Sequence, residues 1–364
     1  MSNKSNIEFH IPLIMAMTLM LAATLPMIGL PCCDSEARVM DESIIFLARH
    51  RTGLIYNNGF VELPDLFSVI FSQIIKYLTA SHLILHAISM AWALICVWLA
   101  YKIGKYFFSV QAGVMSAALM CAQNVFLAQS GLVLPQMMLN ACILGSVYMF
   151  FRERYGWCAM LSLLGTLIDI AGLAASLVML IAYLREQHKE WQIFKNVLLA
   201  VPLLAWVGYE IASLIICGKL SIRTPEFGLV NFIENLYFIF AGQYRAGISA
   251  IIIIAIVSNM MTKRQQYFAR DMLGHSSALI LCLWIAGSAL GREPEWNLAA
   301  ICLLCIVAGC AISTMPISYY AKYAIACGLM AACSLSLLDR SSAGCHAVNY
   351  QSQVMSCQEA AQLL

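Results

Sequence analysis

Residues 11–30 read IPLIMAMTLMLAATLPMIGL, and residues 31–38, which follow directly, read PCCDSEAR. The first segment carries no charge over twenty residues, which is the length that a helix needs to cross the hydrocarbon core of a bilayer. The second segment brings charged side chains to the point where such a helix leaves the membrane. Six of the nineteen acidic residues fall between residues 34 and 65. We therefore predict a retained first transmembrane helix with chemistry at the membrane surface beyond it.

The composition of the whole chain is that of a membrane protein. Of its 364 residues, 62% are hydrophobic and 11% are charged, with a mean hydropathy of +0.80, and one soluble core cannot bury that much apolar surface. Helices satisfy their own backbone hydrogen bonds where no water is available. The sequence therefore predicts an all-α polytopic membrane protein with about eleven transmembrane helices. The predicted spans are 11–30, 83–101, 108–127, 136–151, 155–170, 171–184, 196–217, 246–262, 274–291, 296–314 and 321–337.

The basic residues indicate how these helices are oriented. With a cytoplasmic N-terminus, twelve of the twenty-one lysines and arginines fall on the cytoplasmic side, mostly in short loops, as the positive-inside rule requires. Residues 31–82, 218–245 and 338–364 then lie outside. We predict one transmembrane domain over residues 1–337 with a short outer tail, in the plasma (inner) membrane, with its active face toward the periplasm. The net charge of +2 offers no basic patch, so we expect no nucleic-acid partner.

The first outer loop, residues 31–82, predicts two short helices that lie on the membrane surface. Residues 37–50 alternate polar and apolar side chains at helical spacing, a pattern typical of interfacial helices. Pro64 has a suitable first-turn position for the second helix, which extends to Lys76. Between the two, the Asn58-Gly59 step predicts a turn.

Three elements of this loop occur in a characteristic order. They are the acidic segment at residues 34–38, the Asn58-Gly59 step, and Pro64-Asp65-Leu66-Phe67 before the second helix. In this order and spacing, over roughly its first 190 residues, the chain resembles the GT-C membrane glycosyltransferases, specifically their protein mannosyltransferase and aminoarabinose transferase branch. The resemblance implies transfer of a sugar from a polyprenyl-phosphate donor to a lipid, glycan or protein acceptor at the outer face. The implied partners are the lipid-linked donor, membrane lipids and one of these acceptors.

The resemblance also implies a carboxylate base just outside the first helix. An acceptor hydroxyl must lose a proton as it attacks the anomeric carbon, and a carboxylate within hydrogen-bond reach can take that proton. Partial burial tunes such a base toward the working pH. Asp34 is the first candidate for this base, with Glu36 beside it. Asp41 and Glu42 form the alternative pair, if the family's acidic motif aligns there instead.

The leaving phosphate gains negative charge during transfer, so a cation must lie opposite the base. The outer-face candidates for binding the donor phosphate are Arg38, Arg49, Arg223 and Arg245. The candidates for the wall of the substrate groove are Asn58, Pro64, Gln136 and Tyr237. No residue is assigned as a metal ligand and no organic cofactor is indicated, whereas the resemblance leaves a divalent metal open.

Several positions depart from the family pattern. Leu63 replaces a lysine, Gln136 replaces the second acidic residue at the outer end of the fourth helix, and Asp169 lies where the family has a Lys-Gly turn. Charge that would hold a lipid phosphate is therefore missing, so a catalytically silent scaffold subunit of a membrane complex is the alternative function. A transporter or flippase is a third interpretation, for which inverted repeats would be expected.

Four further polar residues have two interpretations each. Glu210 and Asp169 fall in predicted spans, where a carboxyl group needs a partner or a proton, so each is either a functional or a structural site. His82 and His86 share a helical face at a spacing that can bind zinc. For the carboxyl groups we favour a hydrogen-bonded structural role, and for the histidines we favour packing.

Overall fold

The computed structural model describes residues 82–186, 193–217 and 297–314 continuously. It also describes residues 55–57 and 60–62 and single positions at 13–24, 70, 233, 279–285 and 318–328. The predicted span 246–262, the predicted surface helix 37–50 and the predicted tail 338–364 lie outside the described residues. The boundary between the transmembrane domain and the tail therefore stays a prediction.

The described chain is mainly helical. Its helices are α1 (His82–Phe107), α2 (Val110–Cys121), α3 (Asn124–Ser130), α4 (Pro135–Phe151), α5 (Tyr155–Ile168), α6 (Ile170–Glu186), α7 (Ile193–Cys217) and α8 (Leu298–Thr314). Six predicted spans correspond one to one with α1 and α4–α8. Isolated helical positions fall inside the predicted spans 11–30, 274–291 and 321–337. The helical character is thus confirmed in these parts, and the total of about eleven spans stays a prediction.

The predicted span 108–127 is wrong as a single helix. It divides into α2 and α3 at Ala122 and Gln123, because the Gln123 side chain competes for the end of α2: its Nε2 donates to the Leu119 carbonyl at 3.1 Å. The backbone N–H of Gln123 likewise donates to the Met120 carbonyl. These bonds satisfy carbonyls that a helix end leaves without partners, so the chain can turn here.

The helical class that we predict is confirmed for the bundle, and residues 55–57 and 60–62 add one short β-hairpin to it. Strands β1 (Ile55–Asn57) and β2 (Phe60–Glu62) pair antiparallel, with Asn57 opposite Phe60. This register leaves a two-residue connection, Asn58-Gly59, and Asn-Gly is the strongest short-range signal for a hairpin. The sequence predicted the turn there but not the strands beside it. Strand β2 lies against α7.

Small residues set the spacing between neighbouring helices. A Cβ atom placed on Gly172 of α6 would lie 2.5 Å from the carbonyl oxygen of Gly165 on α5, and one on Gly309 of α8 would lie 2.5 Å from Oγ of Ser116 on α2. Such contacts allow backbones to approach closely, which is how helices associate where lipid removes the hydrophobic driving force.

On helix α7 the exposed side chains are apolar and polar side chains are buried, as expected for a helix that faces lipid. Its exposed side chains include Leu204 (64%) and Ile215 (77%), whereas Glu210 (8%) and Ser213 (2%) are buried. A soluble protein would expose the carboxyl group and bury the leucine, whereas in a bilayer polar residues face the bundle interior. By length and composition, Ile84–Phe107 and Phe194–Ile215 can each cross a membrane. Together with the composition, this polarity makes the chain a membrane protein.

The helices give the bundle two chemically different ends. Helices α4, α6 and α8 all begin at one end, where Gln136, Ala171 and Leu298 line the same cavity; we call this the polar end. At the other end, α1 and α4 terminate side by side, and the Tyr106 hydroxyl donates to the Phe151 carbonyl at 2.8 Å. We call this the basic end, after the lysines and arginines of the α1 C-terminus, the turn between α4 and α5, and the α7 N-terminus.

Candidate functional site

The candidate site is a small cavity at the polar end, between α4, α6, α8 and the helical segment around Leu283. Its lining consists of Gln136, Leu139, Asn140, Ala171, Leu283, Leu298 and Ala299. The cavity offers about 10 Å³ to the centre of a water-sized sphere, which is room for about one water molecule. We call it the amide cavity, after the two carboxamide side chains in its wall.

Local sequence explains how α4 presents these two amides. Pro135 occupies the first turn of α4, where its missing N–H costs no hydrogen bond and its fixed φ favours a helix start. Gln136 follows immediately, and Asn140 lies four residues further on, so both fall on the same helical face. Both side chains are buried, at 7% and 1% exposure.

Asp169 positions the start of α6 beside the amide cavity. The residue separates α5 from α6, its Oδ1 accepts a hydrogen bond from the Ala171 N–H at 2.9 Å, and its carbonyl oxygen accepts one from the Gly172 N–H at 3.0 Å. This is the bonding of a helix N-cap. These hydrogen bonds agree with the structural role that we favour for Asp169, which stays a prediction, and the cap sets Ala171 against the cavity.

Hydrogen-bonding capacity around the cavity is unmet. In the part of the chain that the structure describes, Oε1 of Gln136, Oδ1 of Asn140 and both amide atoms of Asn297 are buried without a hydrogen-bond partner. Asn297 is fully buried directly before Leu298. Each such group costs about 1–3 kcal/mol when it stays unpaired. Sites of this kind are completed by water or by a polar ligand.

One amide atom is paired, and it joins two distant parts of the chain. The Nδ2 of Asn140 donates to Sγ of Cys302 on α8 at 3.1 Å, across 162 positions of sequence. This bond fixes the Asn140 side chain so that its oxygen remains available. The polar side chains in the cavity wall are therefore neutral amides, which can bond to a hydroxyl group or to water and cannot act as a general base.

The cavity is a poor site for a divalent metal. Carboxylates are the main ligands of Mg²⁺, Ca²⁺ and Mn²⁺, and the described lining contributes only amides among its polar groups. Within the described residues, His, Cys, Asp and Glu form no group of three that could hold a metal ion.

Among the predicted site residues, only Gln136 is described, and it lies in the wall of the amide cavity. The others lie outside the described residues: Asp34, Glu36, Arg38, Asp41, Glu42, Arg49, Asn58, Pro64, Arg223, Tyr237 and Arg245. Their roles as site residues therefore stay predictions.

Sequence reasoning missed Asn140 and Asn297. A signal for Asn140 was present, because it falls four residues after Gln136 inside a predicted span, and polar side chains in a span face the protein interior. For Asn297, at the start of the span 296–314, the sequence gives no indication of complete burial. His86 makes a hydrogen bond from Nδ1 to the Gly131 carbonyl and is buried, which agrees with the packing role that we favoured.

Comparison with known proteins relates the chain to solved structures. No family model and no curated protein matches its sequence. The chain is similar to ArnT from Cupriavidus metallidurans bound to undecaprenyl phosphate, with a TM-score of 0.61 and 14% identity over 92% of this chain and 64% of that one. It is also similar to the oligosaccharyltransferase of Archaeoglobus fulgidus in complex with Zn and sulfate, with a TM-score of 0.57 and 13% identity over 89% of this chain and 53% of that one.

A third similar structure is the archaeal oligosaccharyltransferase AglB in complex with an inhibitory peptide and a dolichol-phosphate, with a TM-score of 0.51 and 10% identity over 92% of this chain and 55% of that one. The chain thus spans less than two thirds of the length of these proteins. At such low identity the similarity concerns the fold. Both kinds of neighbour are GT-C membrane glycosyltransferases, so the resemblance that the sequence predicts is confirmed: the chain has the GT-C fold.

Proposed function

We propose that the protein is an integral-membrane glycosyltransferase, which moves a sugar from a polyprenyl-phosphate donor to a lipid, glycan or protein acceptor at the outer, periplasmic face of the plasma membrane. The observation that supports this most is the GT-C fold, combined with buried amide oxygens without a hydrogen-bond partner near the start of α4. The two kinds of similar structure contain undecaprenyl phosphate and dolichol-phosphate, which supports a polyprenyl-linked donor.

In this proposal the reaction is a displacement at the anomeric carbon. Asp34 removes the proton from the acceptor hydroxyl as the new C–O bond forms and the bond to the carrier phosphate breaks. Glu36 lies beside this base, and Asp41 and Glu42 remain the alternative pair. The charge that develops on the leaving phosphate is met by Arg38, Arg49, Arg223 or Arg245.

The amide cavity has a positioning role in this proposal. Gln136 and Asn140 each have a buried side-chain oxygen without a hydrogen-bond partner, and a hydrogen bond from a hydroxyl group to such an oxygen is strong where water is excluded. Sugar hydroxyls both donate and accept, so they match carboxamides better than a phosphate does. Asn58, Pro64 and Tyr237 complete the groove in the same proposal.

A transfer assay tests this function. Membranes that contain the protein are supplied with a radiolabelled sugar on a polyprenyl phosphate, and label in lipid, glycan and protein fractions is counted. The Asp34→Asn variant should insert normally and lose transfer, while Asp41→Asn should retain it. Loss with Asp41→Asn alone would assign the base to the alternative pair, and wild-type transfer by both variants would remove these carboxylates from the mechanism.

A catalytically silent scaffold subunit is the second candidate. The observation that favours it is Gln136, which is neutral where the family has an acidic residue and which lies in the candidate site. This alternative predicts that no membrane fraction gains label, that Asp34→Asn behaves as wild type, and that affinity purification recovers stoichiometric partner subunits.

A further inference from the structure

The positively charged side chains of the described chain are concentrated at the basic end. Every lysine or arginine whose side chain is described belongs to this end of the bundle: Lys102, Lys105, Arg152, Arg154, Lys195 and Lys322. Lys322 is buried and donates to the carbonyl of Ser313 near the end of α8 at 2.6 Å. The other five form what we call the basic surface.

Direct contacts join the parts of the basic surface. Lys102 and Lys105 are on the last turns of α1, and the next residue, Tyr106, donates to the Phe151 carbonyl. The rings of Phe107 and Phe151 also meet edge to face, with centroids 4.4 Å apart. The chain then continues through the turn of Arg152, Glu153 and Arg154 into α5. These contacts place the basic groups of α1 and of the turn side by side.

Helix α7 adds the last basic group. The Nζ of Lys195 lies 5.2 Å from the ring centre of Tyr155, the first residue of α5. The surface thus extends from α1 across the turn between α4 and α5 to α7. Its groups come from separate segments of the chain, so their grouping results from the fold.

Four of the five basic groups of this surface lie over aromatic rings. Lys102 lies over Trp98 at 5.2 Å and Lys105 lies over Tyr101 at 5.8 Å, while Arg152 lies over Tyr148 at 5.7 Å and donates to its hydroxyl at 3.2 Å. Such pairs hold a basic head group at the membrane boundary while its stem stays in the apolar layer.

The same groups have no carboxylate partner in the ranges that the structure describes. Glu153 is the one acidic side chain within the turn, and it is exposed between two exposed arginines. Large apolar side chains beside the basic groups are exposed as well, notably Tyr106 at 51% and Trp157 at 54%. The surface therefore has basic groups without carboxylate partners among the described residues, and exposed apolar side chains lie next to them.

We propose that the basic surface binds the head groups of anionic phospholipids in the leaflet that it faces. A phospholipid satisfies both halves of the surface, because its phosphate pairs with the basic groups while its acyl chains contact the exposed aromatic and aliphatic side chains. A soluble phosphate would satisfy only the first half. Attraction of basic groups to anionic leaflets is strong enough to select a lipid when several groups act together. The proposal stands independently of the sugar-transfer function, which belongs to the polar end.

The test measures the purified full chain in nanodiscs of phosphatidylcholine alone and of equal parts phosphatidylcholine and phosphatidylglycerol. The anionic discs should raise the midpoint of thermal unfolding, and high salt should reduce that rise, because exposed charges are screened. Inorganic phosphate added to the phosphatidylcholine discs should not reproduce it. Equal midpoints in the two kinds of disc would overturn the proposal, and so would full stabilisation by inorganic phosphate.

Variants in the turn provide the matched control. Arg152→Gln and Arg154→Gln should each weaken retention of phosphatidylglycerol through detergent exchange by about fivefold. Glu153→Gln changes the same turn but removes a negative charge, so it should retain at least as much anionic lipid as the wild type. Equal losses in all three variants would indicate damage to the turn and contradict the proposal. The lipid comparison for the wild type requires no variant, so the test holds even if a variant misfolds.

Discussion

Gly309 of α8 lies directly against Ser116 of α2, although 193 positions separate them in sequence. The Ser116 hydroxyl lies 2.8 Å from the Ala112 carbonyl of its own helix and 3.2 Å from the Ile306 carbonyl of α8, so it donates between the two. Close approach and hydrogen bonding coincide at this crossing. It joins α8 to α2, so that a late part of the described chain packs against an early one.

Gly309→Ala should destabilise the protein, because the added methyl group has no room beside Ser116. We expect a cost of about 1–3 kcal/mol, as for other overpacked interiors, measured as a lower midpoint of thermal unfolding in nanodiscs. The control is Gly208→Ala on α7, where an added Cβ meets no atom within 4 Å. That change should be neutral or slightly stabilising, because alanine favours helix. Equal midpoints for both variants would contradict the close crossing.

Asp169→Ala should destabilise the start of α6 by about 1 kcal/mol, because it removes the oxygen that accepts from the Ala171 N–H. Asp169→Asn supplies an equivalent oxygen and should preserve both the unfolding midpoint and sugar transfer. The pair separates capping from catalysis, since a catalytic carboxylate would not tolerate the amide. Loss of transfer in a well-folded Asp169→Asn variant would show that the carboxyl group acts in the reaction.

The sequence predicts most of the described helices because apolar length and polar interruption are local properties. The pair α5 and α6 is an example: two short apolar runs meet at Asp169, and the carboxyl group that marks the boundary is the group that caps the second helix. The division of α2 from α3 was not predicted, since Gln123 is a single amide inside an apolar run and its effect depends on the carbonyl that it reaches.

The amide cavity could be predicted only in part. The family resemblance points to Gln136, and helical spacing is the signal that could have found Asn140, which our prediction missed. Its bond to Cys302 spans 162 residues, so it depends on how α4 packs against α8, which no local pattern contains. That the Asn297 side chain is buried without a partner likewise depends on how the helices pack.

The lipid-facing side of α7 makes a prediction about insertion. Leu204 lies near the middle of the helix and is 64% exposed, so Leu204→Lys should place a charge in the hydrocarbon core at a cost of about 2.5–3.5 kcal/mol. We expect a reduced yield of inserted protein, measured by carbonate extraction of membranes. Phe194→Lys is the matched control, because it is 77% exposed near the start of α7, where a lysine can reach the interface. Normal insertion of Leu204→Lys would contradict a lipid-facing α7.

The last prediction concerns the unpaired oxygens of the amide cavity. Gln136→Leu replaces a buried group that lacks a partner for Oε1 by an apolar one, and such a change is close to neutral for folding or stabilising. If the oxygen binds a sugar hydroxyl during transfer, the same variant should lose about 10- to 100-fold in kcat/KM, the size expected for one buried hydrogen bond at about 1.4 kcal/mol per tenfold. The unfolding midpoint and the transfer rate should therefore move independently.

Ser146→Ala is the control for this experiment, because it lies on the same helix and its hydroxyl already donates to the Ile143 carbonyl at 2.8 Å. It should leave the transfer rate unchanged. A large fall in the unfolding midpoint of Gln136→Leu would mean that the cavity holds a structural water, since removing one partner of a bound water leaves the others unsatisfied. In that case the amides would stabilise the junction of α4, α6 and α8, and positioning of the sugar would have to come from the first outer loop.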